Sequence, residues 1–174
     1  MHGEKPKAVF YSDKAAVRGI AERFVKNMLD NRIALDEMVI LSVHSLEHSA
    51  LQGVKELAGV PVSNTMEEGK VWVTTTRKYK GLEAKAVLLI DVEVSKLTDP
   101  VMQRMIYIGG SRANSYLKVA FYEDVEKGDY RNIVDALQKQ VKENCKDEAE
   151  TVEAKLPGTR KSVVKLLQME AEAQ

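Results

Sequence analysis

A chain of 174 residues, 44% hydrophobic and 30% charged, fits one globular domain with a real core and room for helical extensions. Its formal net charge of +0 excludes a general electrostatic pull towards nucleic acid, so any such binding has to come from a local patch of Lys and Arg. Cys145 stands alone, which excludes a disulfide framework and a cysteine metal cluster; with no apolar run of membrane-span length and no secretory signal at the N-terminus, a cytoplasmic location is the expectation, with no membrane partner.

Lys7-Ala8-Val9-Phe10-Tyr11 reads as a first strand. Ser12-Asp13 offers a cap to a helix in which Ala16, Ile20, Phe24 and Met28 recur at helical spacing, and Asp30-Asn31 ends it. A second strand follows at Met38-Val39-Ile40-Leu41-Ser42. The spacing of Leu46, Leu51, Val54 and Leu57 then predicts a helix from about Ser45 to Leu57, after which Gly59-Val60-Pro61-Val62 turns the chain. Beyond a polar loop from Asn64 to Lys70, Val71 and Val73 with Thr74, Thr75 and Thr76 suit a third, pleated strand. The apolar run from Ala86 to Ile90 is too short for most helices and suits a central parallel strand.

Pro100 marks a first helical turn, and the helix it opens carries Met102, Met105 and Ile106 to about Ile108, where Gly109-Gly110 breaks or tightens it. A last strand spans Tyr116 to Phe121. Strands alternating with helices over residues 1–122 predict an α/β fold with a mostly parallel sheet, helices on both faces and right-handed crossovers. Residues 123–174 read as a helical C-terminal extension. One amphipathic helix runs from about Tyr130 to Asn144 and a final one carries Val163, Val164, Leu166 and Leu167, with Leu156-Pro157-Gly158-Thr159 as a stop between them.

A nucleotide-binding phosphate loop reads Gly-x-x-x-x-Gly-Lys-Ser/Thr. Gly69-Lys70 fails that pattern, because Asn64 stands where the first glycine belongs and Val71 follows the lysine. His44 and His48 form one i,i+4 pair without a glutamate at the required position, which reads as a solvated helix face rather than a metal site, so no metal ligand is assigned. Two stretches remain. Thr75-Thr76-Arg77-Lys78-Tyr79-Lys80-Gly81-Leu82-Glu83 places hydroxyls, cations, a glycine and an acid between two strands, where backbone N–H groups and positive charge can meet a phosphate. Ile106-Tyr107-Ile108-Gly109-Gly110-Ser111-Arg112-Ala113 runs apolar residues into a small corner from which a guanidinium emerges, and its fork matches phosphate oxygens.

Together these stretches resemble motifs V and VI of the UvrD/Rep-like superfamily 1 DNA helicases. Thr75-x-Arg77-x-x-Lys80-Gly81-Leu82-Glu83 followed by Val87-Leu88-Leu89 is similar to motif V. Tyr107-Ile108-Gly109-Gly110-Ser111-Arg112-Ala113 is similar to motif VI, Tyr-Val-Ala-Leu-Ser/Thr-Arg-Ala, and Val39-Ile40-Leu41-Ser42 falls where motif IV would start. The resemblance covers roughly residues 8 to 122, the compass of one RecA-like domain. It implies the second RecA-like domain of an ATP-dependent helicase, the one without the nucleotide loop, and so a chain inactive alone. ATP and Mg2+ would be held mainly by an N-terminal RecA-like domain, joined in cis or in trans. Arg112 would be the arginine finger and catalytic group. Glu83 would contact the ribose and Gly81 would let the backbone approach the nucleotide. Thr75, Arg77 and Lys80 would hold single-stranded DNA by its backbone.

The chain also departs from the family pattern. Val43 occupies the place of a motif IV arginine, Gly109-Gly110 replaces an Ala-Leu-like pair, and the short link from Val62 to Val71 leaves no room for a large accessory domain. Plainer roles fit the same residues: Thr75 as a strand hydroxyl, Arg77, Lys78 and Lys80 as a solvated turn, Glu83 paired with Lys80 or Lys85, and Tyr107 and Trp72 in packing. The alternative function is a non-catalytic module that binds single-stranded nucleic acid on the same fold.

Overall fold

The computed structural model describes residues 4–124. Its centre is strand β6 (Ala84–Glu93), whose residues from Ala86 to Val92 are all buried, as a strand covered on both faces requires. Around it the sheet is built from β1 (Lys7–Tyr11), β2 (Met38–Ser42), β3 (Glu56–Leu57), β4 (Val60–Ser63), β5 (Val71–Thr75) and β7 (Ala113–Tyr122), with helices α1 (Ala16–Asp30) and α2 (Pro100–Gly110). The strand order is β1-β7-β6-β2-β5-β4-β3. Every neighbouring pair is parallel except β3 and β4 at one edge. This is an α/β, RecA-like architecture with helices on both faces.

The period of two along each strand divides the core. Met38, Ile40, Val71, Val73, Leu88 and Ile90 face α1, which presents Val17, Ile20, Ala21, Phe24, Val25 and Met28. Val39, Leu41, Val87, Leu89, Val119 and Phe121 face the other way, towards Met102 and Ile106 of α2. Burying side chains such as Ile20 and Phe24 contributes roughly 1.5–3 kcal/mol each before the entropy of ordering is subtracted. The expected cap at Ser12-Asp13 falls short of the first helix: Asp13 Oδ1 accepts from Ala15 N at 2.9 Å in the turn ahead of it, and Ala15, at the N-cap position, makes no side-chain cap. Asp99 does cap α2, accepting from Val101 N at 2.9 Å with Pro100 in the first turn.

The predicted helix from Ser45 to Leu57 does not form. A single 3-10 turn at Leu46–His48 is followed by further turns and the short strand β3. The inward residues were read correctly in part: Leu51 and Leu57 are buried, and Leu46 and Val54 pack half-buried against the same core. Local backbone demands defeat the helix. Ser45 and Ser49 are extended, and Gly53 and Gly59 take φ of 73° and 78°, in the left-handed region. Val60-Pro61-Val62 is strand β4 rather than a turn, with Pro61 at the outer part of the sheet, where a missing N–H is tolerated.

His44 and His48 are therefore not on a helix face. His48 Nδ1 shares a 2.8 Å hydrogen bond with Ser45 Oγ, and His44 Nε2 lies 3.8 Å from Glu93 Oε1. The C-terminal extension, with its helices predicted at 130–144 and near 163–167, lies outside the described residues.

Candidate functional site

The corner at Arg112 is made by the end of α2. Gly109 and Gly110 stay helical, and Ser111 closes the helix with its Oγ donating to Ile108 O at 3.0 Å. A glycine is needed at 109 because α2 packs tightly on the sheet: a Cβ there would lie 2.6 Å from Leu89 Cδ1 and 3.0 Å from Thr76 Cγ2. Gly109 therefore serves the close packing of α2 on the sheet. Arg112 then folds back. Its Nε donates to Ile108 O at 3.1 Å, Nη1 to Leu82 O at 3.4 Å, and its carbonyl accepts from Ala84 N at 2.9 Å.

Those contacts bring Arg112 beside the Lys80–Glu83 corner, where β6 and β7 begin with Ala84 opposite Ala113. Gly81 is exposed with φ of 84°, and a Cβ there would meet nothing within 4 Å. The glycine answers to a left-handed turn, and the space in front of it is open. Glu83 is exposed. Among the described residues it pairs with neither Lys80 nor Lys85, and Lys85 instead reaches Glu37 at 3.9 Å. Arg112, Arg77, Lys78 and Lys80 likewise take part in no ion pair among the described residues.

Residues 76–83 form a wound connection. Thr76 N donates to Ser42 O at 3.0 Å, Tyr79 N to Thr75 O at 3.1 Å and Leu82 N to Tyr79 O at 3.1 Å, while Thr75 Oγ1 accepts from Lys78 N at 3.2 Å. Thr75 lies level with Ser42 and Ile90 at the carboxyl ends of the strands. Ala84 is six residues earlier on β6, roughly 20 Å away along the strand at about 3.3 Å per residue. The sequence-adjacent candidates thus divide. Thr75 stands at the carboxyl rim, and Gly81, Glu83 and Arg112 share the amino rim, with exposed Arg77 and Lys80 on the segment between.

That segment has an aromatic anchor. Tyr79 is 3% exposed and meets the half-buried Trp72 edge-on, with ring centroids 5.0 Å apart and planes at 65°. Burial pushes the Tyr79 phenol up; the Arg112 cation opposes this and the Glu83 anion adds to it. Tyr107, read from sequence as a packing residue, is 49% exposed on the outer side of α2.

The sequence reading missed a second polar cluster, at the carboxyl ends of β2 and β6. Asp91 is buried at φ of 65° and accepts from Ser42 Oγ at 2.6 Å, Ser49 Oγ at 2.7 Å and Ala50 N at 2.9 Å. It borders a cleft of about 350 Å³ lined by Tyr11, Lys14, His44, Glu93 and Lys96 among others. Glu93 is already paired there with Lys96 at 2.7 Å. The available signal was an acid closing the apolar run Leu88-Leu89-Ile90. Among the described residues no group of three or more His, Cys, Asp or Glu side chains converges to hold a metal ion.

No protein-family model matches the chain. No curated protein matches it either. Among solved structures it is similar to the C-terminal domain of a possible DNA helicase from Lactobacillus plantarum WCFS1, with a TM-score of 0.56 and 20% identity over 70% of this chain and 76% of that one. At that identity the likeness establishes a shared fold. No helix among the described residues is long and apolar enough to cross a membrane.

Proposed function

We propose that this chain is the second RecA-like domain of an ATP-dependent superfamily 1 DNA helicase, supplying the arginine finger and part of the nucleotide and single-stranded DNA sites. One observation carries the reading: the Arg112 guanidinium reaches the carbonyl of Leu82, at the corner that presents Gly81 and Glu83, and no ion pair among the described residues neutralises it. A triphosphate brought to that rim by a nucleotide-loop domain would meet the cation of Arg112. The Glu83 carboxylate would accept from a ribose hydroxyl, and the open backbone at Gly81 would admit close approach. The fold it shares with the C-terminal domain of a possible DNA helicase supports the same reading.

In this arrangement Arg112 is the catalytic residue. Its charge stabilises the transferring phosphoryl group, a role worth on the order of 10³–10⁵ in rate. Mg2+ would enter with ATP and be held by the partner domain. Thr75, Arg77 and Lys80 would grip phosphates of single-stranded DNA at the carboxyl rim and along the descending segment, without reading sequence. Separate rims would keep the two ligands apart while one segment touches both.

Val43, half-buried where the motif IV arginine would stand, favours a second reading: a module that binds single strands and no longer supports hydrolysis. Titrating the purified chain with a single-stranded oligonucleotide at two salt concentrations tests the shared part of both. Salt-sensitive binding that weakens in Arg77→Ala and Lys80→Ala and is unchanged in Arg112→Ala is the expected outcome. Binding that depends on Arg112 instead would contradict the division between rims.

A further inference from the structure

We propose that Tyr79 is the positioning residue for Arg112 and Glu83: its ring, wedged against Trp72, fixes the rim on which those two charges stand. The proposal rests on the reading of Arg112 and Glu83 as nucleotide-facing groups, but the order it requires of Arg112 can be measured without nucleotide.

Between Arg77 and Glu83, Tyr79 alone turns inward; its neighbours are exposed on both sides. The segment therefore has one side-chain anchor in those seven positions. The wall it meets is itself fixed, since Trp72 lies on β5 and its Nε1 donates to Asn64 O at 3.1 Å. From the ring the constraint passes through a short series of contacts. The Tyr79 carbonyl accepts from Leu82 N at 3.1 Å, and the Leu82 carbonyl accepts from Arg112 Nη1 at 3.4 Å.

Arg112 depends on this because, among the described residues, its side chain is fastened to neutral carbonyls, those of Leu82 and Ile108. Ile108 belongs to α2, which the sheet holds. Leu82 is 45% exposed, and its carbonyl is held on one side by the turn at Tyr79 and on the other by the bond from Ala84 N to Arg112 O. A catalytic guanidinium must be held to about 0.5 Å for full effect, and a loop meets that demand only when packed from below. The phenol also lies within electrostatic reach of both Arg112 and Glu83. Helix α2 is tied to the same segment at its other end, where Thr76 Oγ1 donates to Met105 Sδ at 3.3 Å.

The test is proton exchange at the Arg112 Nη1 group, the one bonded to the Leu82 carbonyl, followed by NMR in the ligand-free chain, with the amides of β2 and β6 as internal controls. Tyr79→Phe keeps the ring and should leave that exchange unchanged. Tyr79→Leu should accelerate it by about tenfold while the strand amides keep their protection. Should Tyr79→Leu lose the fold as a whole, Trp72→Leu withdraws the wall instead and is read in the same way. An Arg112 signal indifferent to the loss of the ring, or one as disturbed by Tyr79→Phe as by Tyr79→Leu, would overturn the proposal. Neither result involves ATP, so a failure here is distinct from a failure of Arg112 as an arginine finger.

Discussion

Ser42 and Asp91 are joined by a 2.6 Å hydrogen bond at the carboxyl ends of neighbouring strands, although 49 residues separate them in sequence. Ser49 Oγ donates to the same carboxylate oxygen and Ala50 N to the other, so one buried side chain gathers the start and the middle of the segment after β2. His44 N also donates to Ser42 Oγ, at 3.0 Å. Asp91 sits at φ of 65°, a conformation Asp tolerates better than most residues.

Removing the carboxylate leaves three donors without their acceptor and puts a less tolerant residue into the left-handed region. Asp91→Ala should destabilise the chain by about 3–5 kcal/mol in urea unfolding. Asp91→Asn keeps the shape and part of the bonding, and should cost about 1–2 kcal/mol. A cost of Asp91→Ala no greater than about 1–2 kcal/mol would mean that the carboxylate bonds contribute little.

The same cluster explains where sequence reading stops. The strands were legible because burial on both faces demands runs such as Met38–Ser42 and Val87–Ile90, and α1 because Ile20, Phe24 and Met28 fall on one face. Residues 45–57 carry a similar inward spacing, yet Ser49 is held by an acid 42 residues away and the glycines at 53 and 59 take left-handed turns. Long-range hydrogen bonds leave no periodic trace. For the candidate site, the motifs gave the residue types, and the fold gave their division. Thr75 and Glu83 are eight positions apart in sequence, but the segment between them crosses from one rim of the sheet to the other. Tyr107 shows the opposite error: it sits in an apolar run in sequence, but it faces outwards while Ile106 beside it is buried.

Gly109 and Leu89 should be energetically coupled. Gly109→Ala gains about 1 kcal/mol of helix propensity and loses about 1–3 kcal/mol to overpacking, because a Cβ would lie 2.6 Å from Leu89 Cδ1. The net change should be destabilising by about 1 kcal/mol. In a double-mutant cycle with Leu89→Val the paired variant should be more stable than the sum of the single ones, by about 0.5 kcal/mol or more. Simple additivity would show that α2 can shift away from the sheet.

Thr74 Oγ1 is buried without a hydrogen-bond partner among the described residues. Valine has nearly the same shape and no hydroxyl to desolvate. Thr74→Val should therefore raise stability, by about 1 kcal/mol, measured as a shift of the urea midpoint at constant slope. A loss of stability would reveal a partner for this hydroxyl.

Glu67 carries the acid-side prediction. Its hydrogen bond with Lys70 chiefly, then that from Ser63 Oγ at 2.5 Å, lowers its pKa from the ordinary 4.5 to about 2. A carboxylate with a depressed folded pKa stabilises the fold fully above its unfolded value. That contribution fades as pH falls from about 4.5 to about 2. Glu67→Gln should flatten the stability profile across that window and leave the slope above pH 6 unchanged. An identical acid limb in the variant would show the bonds to be too solvated to matter.

The most direct measurement is steady-state ATP hydrolysis by a complete enzyme in which this chain is joined to its nucleotide-loop domain, compared between wild type and Arg112→Ala, with ATP affinity determined in parallel. The arginine-finger role predicts a fall in turnover on the order of 10³-fold or more with ATP affinity nearly intact, and no hydrolysis by the isolated chain. Turnover untouched by the substitution, loss of binding in proportion to loss of rate, or ATP hydrolysis by the isolated chain that Arg112→Ala abolishes would contradict it.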